Sequence, residues 1–317
     1  MGAACGKLKD MTREIPSSKN SDSLFPAEPR GRWRMWRSVV VPLAGAVVLF
    51  SAAGAANRVL LSLRDRYRLT QAPAVDNMPP MAAFTTVALG GFRGILADLL
   101  WMRAGTLQDE GRFFELAQLS DWIARLQPRS PAIWAFHAWN MAYNVPALMA
   151  NPVDRWRWVR NGIGLLRDDG MSLNPGSARL HRELAWLFLH KLGSADDHFS
   201  PYYREEWAKE ADASEPLPSS PVRAVLEETF GPLDWHTPQA HAIYWAWTGL
   251  PYVRTDFDDL DLRRVIYQAL LQRIYGYRER QFCEPAIRFI EETAARHPEA
   301  AVLQDILERL RAEARRG

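Results

Sequence analysis

The stretch AIRFIEETAARHPEAAVLQDILERLRAEA, Ala286 to Ala314, decides the fold class. Leu303, Ile306, Leu307 and Leu310 recur at intervals of three and four, so they line one face of a helix. Asp305 and Arg309 fall at i,i+4 outside that stripe, where opposite charges support a helix. Arg296-His297-Pro298 interrupts the pattern, because proline lacks an N–H and disfavours helical backbone in the residue before it. The stretch therefore reads as two helices joined by a proline turn.

The same pattern extends back to Met81. Apolar residues recur at helical spacing rather than in alternation. Helices are expected around Ile95 to Arg103, Phe113 to Ala124, Ala132 to Tyr143, Trp156 to Leu166 and Leu180 to Leu192. Others follow at Val222 to Phe230, Ala240 to Trp247 and Leu260 to Tyr277. Leu126-Gln127-Pro128 and Leu173-Asn174-Pro175 break the chain as Arg296-His297-Pro298 does.

Small residues accompany these breaks. Ala286 and Ala294 precede Pro298, and Ala117 and Ala124 precede Pro128 with nearly the same spacing. This arrangement resembles the second helix of a tetratricopeptide repeat, in which small residues admit a neighbouring helix and proline ends the unit. Ile163 and Gly170 replace the alanines before Pro175. The prolines are 47 and 123 residues apart, against a repeat of about 34, so the resemblance is degenerate. It implies an all-α body of paired antiparallel helices in a right-handed solenoid, with a surface for a protein or peptide.

Ahead of this body lies a different kind of segment. Ser38 to Asn57 is a run of twenty uncharged residues, long enough as a helix to cross the hydrocarbon core of a bilayer. Trp33 and Trp36 stand where an interfacial aromatic belt would be. A signal peptide cleaved near Ala53-Gly54-Ala55 is the rival reading, but the polar leader is far longer than a usual n-region. Four arginines stand on each side: Arg30, Arg32, Arg34 and Arg37 before, Arg58, Arg64, Arg66 and Arg68 after. Lys19 and the remaining tail charges tip the orientation toward an N-terminus inside and the large domain outside, periplasmic if the source is bacterial.

The expected organisation is a disordered basic tail over 1–37, a transmembrane helix over 38–57, and a juxtamembrane helix and linker over 58–80. A helical lobe over 81–195, a polar connection over 196–220 and a C-terminal helical lobe over 221–317 complete it. Within the connection, one helical piece is expected around Arg204 to Ala211. Gly6 stands where an N-myristoylation pattern requires Ser or Thr, and Cys5 precedes the apolar run rather than following it.

Composition narrows the function classes. Lys plus Arg is 39 against 37 for Asp plus Glu, which gives no global electrostatic basis for nucleic-acid binding. The two cysteines, Cys5 and Cys283, exclude a disulfide scaffold. Leu89 to Asp98 holds three glycines before a helix but lacks the G-x-G-x-x-G spacing, so a tight bend is the expected role. His181 and His190 fall on opposite faces of one helix, Glu183 lies about two turns from His190, and no H-E-x-x-H occurs. Asp196, Asp197 and His198 follow in a loop. No metal, cofactor or catalytic residue is assigned. Cys283 lies at a helix start, where a thiol can be activated, but no partner histidine is identified. The acidic run Asp256 to Asp261 reads as helix capping.

Thirteen tryptophans are the remaining clue. Trp134 and Trp139 share a helix, and Asp154-Arg155-Trp156-Arg157-Trp158 alternates arginine with tryptophan. These residues either fill wide gaps between helices or form binding hot spots. The first expectation is a membrane-tethered adaptor that binds a protein or peptide through Trp134, Trp139, Asn140, Tyr143, Arg155 and Trp158. The alternative is an enzyme or small-molecule binder with a polar pocket between the lobes, lined by His181, Arg182, Glu183, His236 and His241. A third expectation makes the chain a subunit of a larger membrane complex.

Overall fold

A computed structural model describes residues 30–66, 92–195, 197–213 and 220–316, and no strand occurs among them. The polar tail before Arg30 and the glycine segment Leu89 to Gly91 lie outside the described residues. The chain divides into two units, residues 1–72 and 73–317.

Among its described residues the first unit contains one helix, α1, Arg30–Arg66. At 1.5 Å per residue it is about 55 Å long. Val40–Leu60 within it is long and apolar enough to cross a membrane. The helix begins eight residues before the end of the stretch expected to be tail. Arginine, methionine and tryptophan are acceptable helix formers, and the uncharged run begins a turn or two later than the helix itself. Pro42 consequently sits in the interior of α1. It deprives the Ser38 carbonyl of its helical donor, a loss that apolar spans tolerate.

The described residues of the second unit are mostly helical and contain no strand. Its helices are α2 Phe92–Asp109, α3 Phe113–Leu126, α4 Pro131–Trp139, α5 Pro152–Gly164, α6 Ala178–Trp186 and α7 Ser200–Ala213. They continue as α8 Ser220–Phe230, α9 Pro238–Gly249, α10 Asp256–Leu271, α11 Cys283–Arg296 and α12 Val302–Ala314. Four of them run on into π-helical turns: α4 into Asn140–Asn144, α5 into Leu165–Gly170, α6 into Leu187–Leu192 and α10 into Gln272–Gly276. Such turns carry an i→i+5 hydrogen bond and rotate the side chains that follow.

Chain neighbours pack on one another from α2 to α5, the π-helical end of α5 packs on α6, and chain neighbours pack again from α8 to α12. In addition, α4 packs on α6, and α6 packs on both α9 and α10. One continuous set of buried apolar side chains runs from Ala104 in α2 to Leu310 in α12. That set spans both of the expected lobes. Its halves meet where α6 lies against α9, and there Gly249 of α9 admits the Cβ of His181. The connection expected over 196–220 holds the whole of α7, longer than the piece expected, and its last residue already begins α8.

The three proline breaks share one geometry. Gln127, Asn174 and His297 have φ/ψ of −127/62, −137/58 and −125/69. In each case the residue three further on donates its N–H to that residue's carbonyl: Ser130 at 3.1 Å, Ser177 at 3.2 Å and Ala300 at 3.0 Å. Steric conflict with the following proline ring removes each of these residues from the helical region, and the turn then launches the next helix. Side chains tie the first turn to the second. The Pro128 carbonyl accepts from Trp134 Nε1 at 2.7 Å and from Asn174 Nδ2 at 3.0 Å.

Candidate functional site

A groove of about 750 Å³ opens between the π-helical ends of α6 and α10, with the start of α7 beside it. Trp186, His190 and Gly193 line one wall, Gln268, Gln272, Tyr275 and Tyr277 the other, and Arg204 of α7 reaches in between. Tyr275 and Tyr277 are 51% and 43% exposed. No carboxylate lines the groove among the described residues.

Each wall is held from below. Arg182, Trp186 and His190 follow one another at four-residue intervals on α6. The Arg182 guanidinium lies over the Trp186 ring at 5.5 Å, and Trp186 stacks on His190 at 5.0 Å. His190 Nδ1 and the Tyr143 hydroxyl are hydrogen-bonded at 3.2 Å, and Tyr143 stacks on Trp139. Burial pushes the Tyr143 hydroxyl above its ordinary value, so it stays protonated. Lys191 lies beneath, paired with Asp197 at 2.6 Å and 5.0 Å from the Tyr143 ring centre. Burial disfavours the Asp197 charge, but the Lys191 ammonium and the Phe199 N–H outweigh it and lower the pKa. Arg204 is steadied by Nη1 donation to the Leu192 carbonyl at 3.3 Å and to Ser200 Oγ at 3.1 Å.

Beneath the far wall, fully buried Gln239 of α9 sets an amide orientation. Its Nε2 donates to the Gly193 carbonyl at 3.4 Å and to Gln272 Oε1 at 2.9 Å. A carbonyl only accepts, so Gln239 must turn its amine end toward Gly193. The second hydrogen of that amine then requires the oxygen end of Gln272, which leaves the Gln272 amine as the end available in the groove. Gly193 makes this approach possible, since a Cβ there would lie 3.0 Å from Gln239 Nε2 and 2.7 Å from the Leu189 carbonyl.

Of the six residues expected to bind a partner, two are buried, Trp134 and Asn140. Trp139 and Tyr143 belong to the stack beside the groove. Trp134 is buried and spends its N–H on Pro128, so it packs. Asn140 is also buried, donating to the Phe113 carbonyl at 3.2 Å and accepting from Asn144. Arg155 is partly buried, with Nε on the Met149 carbonyl at 2.6 Å and its guanidinium over the Phe199 ring. Trp158 meets Phe114 edge to face. No protein-family model and no curated protein matches this chain.

The residues of the alternative polar pocket are dispersed. His181 is buried with Nδ1 on the Ser177 carbonyl at 2.9 Å, and burial lowers its pKa. His241 is enclosed by Phe188, Trp207 and Trp235, with Nε2 2.8 Å from the Trp235 carbonyl, and burial pushes its pKa down to about 4. His236 is exposed beside Asp234. Arg182 bridges Glu183 and Asp261 at 2.8 Å each, an ion-pair network between α6 and α10. Among the described residues no group of three or more His, Cys, Asp or Glu is placed to hold a metal. Asp197 of the loop considered for ligands is tied to Lys191, and Asp196 lies outside the described residues.

Cys283 opens α11, yet it is buried and its thiol pKa is raised, chiefly by that burial, so it is not activated. The acidic run from Asp256 begins α10, where Thr255 Oγ1 accepts the Asp258 N–H at 3.1 Å, while Asp259 pairs with Arg263 and His297. Arg204, Gln239, Gln272, Tyr275 and Tyr277 were not singled out by sequence. They lie on three helices that only the fold brings together, and no local motif marks them.

Proposed function

We propose that this chain is a membrane-anchored adaptor whose helical body grips a polypeptide partner in the groove between α6 and α10. The observation that carries the reading is the groove itself: open, rimmed by exposed Tyr275 and Tyr277, and provided with hydrogen-bond donors held in place from beneath. Tyrosine, tryptophan and arginine are the residues that dominate binding hot spots, and Trp186, Tyr275, Tyr277 and Arg204 supply all three. α1 serves as the anchor through Val40–Leu60, with the N-terminus inside and the body outside. The body is read as a degenerate tetratricopeptide-like right-handed solenoid. The recurrence of one proline turn at Gln127, Asn174 and His297 supports that reading, as does the packing of α4 on α6.

Purification of the tagged full-length chain from its native membranes in mild detergent tests the proposal. Mass spectrometry should find a stoichiometric protein partner with the wild type. That partner should be lost from Tyr275→Ala/Tyr277→Ala, which alters two exposed side chains, while circular dichroism should show the fold retained. A monodisperse protein without any partner would remove the adaptor reading.

A further inference from the structure

We infer that the groove selects an acidic segment: an extended polypeptide whose carboxylates meet Arg204 and the Gln272 amine while its apolar side chains lie on Trp186, Tyr275 and Tyr277. The inference rests on the adaptor reading in one respect only, that the ligand is a polypeptide.

Charge is the first argument. The groove lining carries one permanent cation, Arg204, and no carboxylate among the described residues. Asp197, two residues after the lining Ala195, is already neutralised by Lys191 at 2.6 Å. Glu279, two residues after Tyr277, is taken by Arg273, with Nη2 donating at 2.7 Å. Among the described residues these acids are thus paired internally, and no carboxylate joins Arg204 in the groove lining.

Hydrogen-bond polarity is the second. Arg204 is donor-only. The chain from the Gly193 carbonyl through Gln239 to Gln272 turns the Gln272 amine outward, a second donor set by the fold rather than by solvent. Both ask for acceptors. Peptide carbonyls satisfy them in part, and carboxylates satisfy them best, since hydrogen bonds to charged groups are the stronger ones.

Backbone strain is the third. Arg278, next to Tyr277, is the one non-glycine residue with positive φ, at 60°, among the described residues. A left-handed conformation in a residue with a long side chain costs energy and concentrates where a surface is used. It lets the chain turn sharply after the π-helical end of α10, so Tyr275, Tyr277 and Arg278 are all exposed on one short stretch. Arg278 adds a further cation beside the tyrosines.

Three fluorescein-labelled octapeptides, alternating Leu with Glu, Gln or Lys, provide the test. Each is titrated by anisotropy against the full-length chain in uncharged detergent micelles, with empty micelles as the baseline. The Glu peptide should bind about tenfold more tightly than the Gln peptide, the difference of one charge-assisted contact, and the Lys peptide should bind weakest. Arg204→Gln should abolish the preference for Glu over Gln. Gln272→Glu keeps the oxygen that Gln239 needs, so the fold is retained, and it should invert the order in favour of the Lys peptide. Equal binding of the three peptides, or an unchanged order in both variants, would overturn the inference. So would displacement of the Glu peptide by anionic phospholipid added to the micelles, since the groove would then take lipid. If a native partner co-purifies equally well with wild type and with Gln272→Glu, the acidic ligand is refuted and the adaptor reading survives. If the Glu peptide binds as expected but no partner co-purifies from membranes, the adaptor reading falls and the groove chemistry stands.

Discussion

Gly249 stands where α9 approaches α6 most closely. A Cβ at this position would lie 2.7 Å from the His181 Cβ and 3.1 Å from Leu262 Cδ1, and the His181 Cβ cannot move without displacing α6. Gly249→Ala should therefore destabilise the fold by about 1–3 kcal/mol, the range for overpacking a core, measured as a lower denaturant midpoint. His241 makes a pH-dependent contribution. It is neutral in the folded chain, its pKa pushed from 6.5 to about 4 by burial. Above pH 6.5 both folded and unfolded chains carry it neutral, and stability does not depend on it. As pH falls below 6.5, the unfolded chain takes up a proton that the folded chain refuses, so stability is lost, and the loss is complete once pH has passed through about 4. His137, also lowered to about 4 by burial, acts in the same direction. His241→Gln should make the fall in urea midpoint between pH 6.5 and 4 shallower, and an unaltered slope would show that His241 is not held neutral.

The three proline turns are the elements that repeat. Asn174 links two of them by donating to the Pro128 and Gly170 carbonyls, 3.0 Å each. Asn174→Ala should cost about 1–2 kcal/mol. Combined with Trp134→Phe it should cost more than the two single changes together, because the Pro128 carbonyl would then lose both donors. Equilibrium unfolding of the four proteins measures that coupling. These turns were legible in the sequence because the cause is local: a proline ring acts on the residue before it whatever the rest of the chain does. The helical stripes were legible for the same reason, and Leu303, Leu307 and Leu310 are buried as their spacing required. The π-helical turns were not legible. Nothing in Leu187–Leu192 or Gln272–Gly276 differs by composition from an ordinary helix end. The groove depends on those turns, and its arginine and tyrosines come from α7 and α10, so its lining could not be read from neighbours in the chain. The tryptophans show the limit most plainly: Trp134 and Trp139 belong to one helical stretch, and only tertiary packing separates the buried indole from the exposed one.

For the body as a whole, the uninterrupted core implies one folding unit. The buried set passes from α6 directly to α9 and α10, so residues 221–317 alone would expose the faces of α9 and α10 that α6 covers. The body should unfold in a single transition, with circular dichroism and tryptophan emission tracing the same curve. A chain limited to residues 221–317 should show no cooperative transition, whereas two separate transitions in the full-length protein would indicate two lobes after all. The distribution of indoles through this core has an optical consequence. Trp134, Trp156, Trp207 and Trp235 are buried, while Trp122 and Trp139 are 53% and 40% exposed. The emission band is then a sum of a blue, shielded population and a red, accessible one. Iodide should extinguish the red edge first and leave a band shifted to shorter wavelength. Trp139 touches the stack that backs the groove, so occupancy there can be followed through the accessible fraction without attaching any dye to the protein.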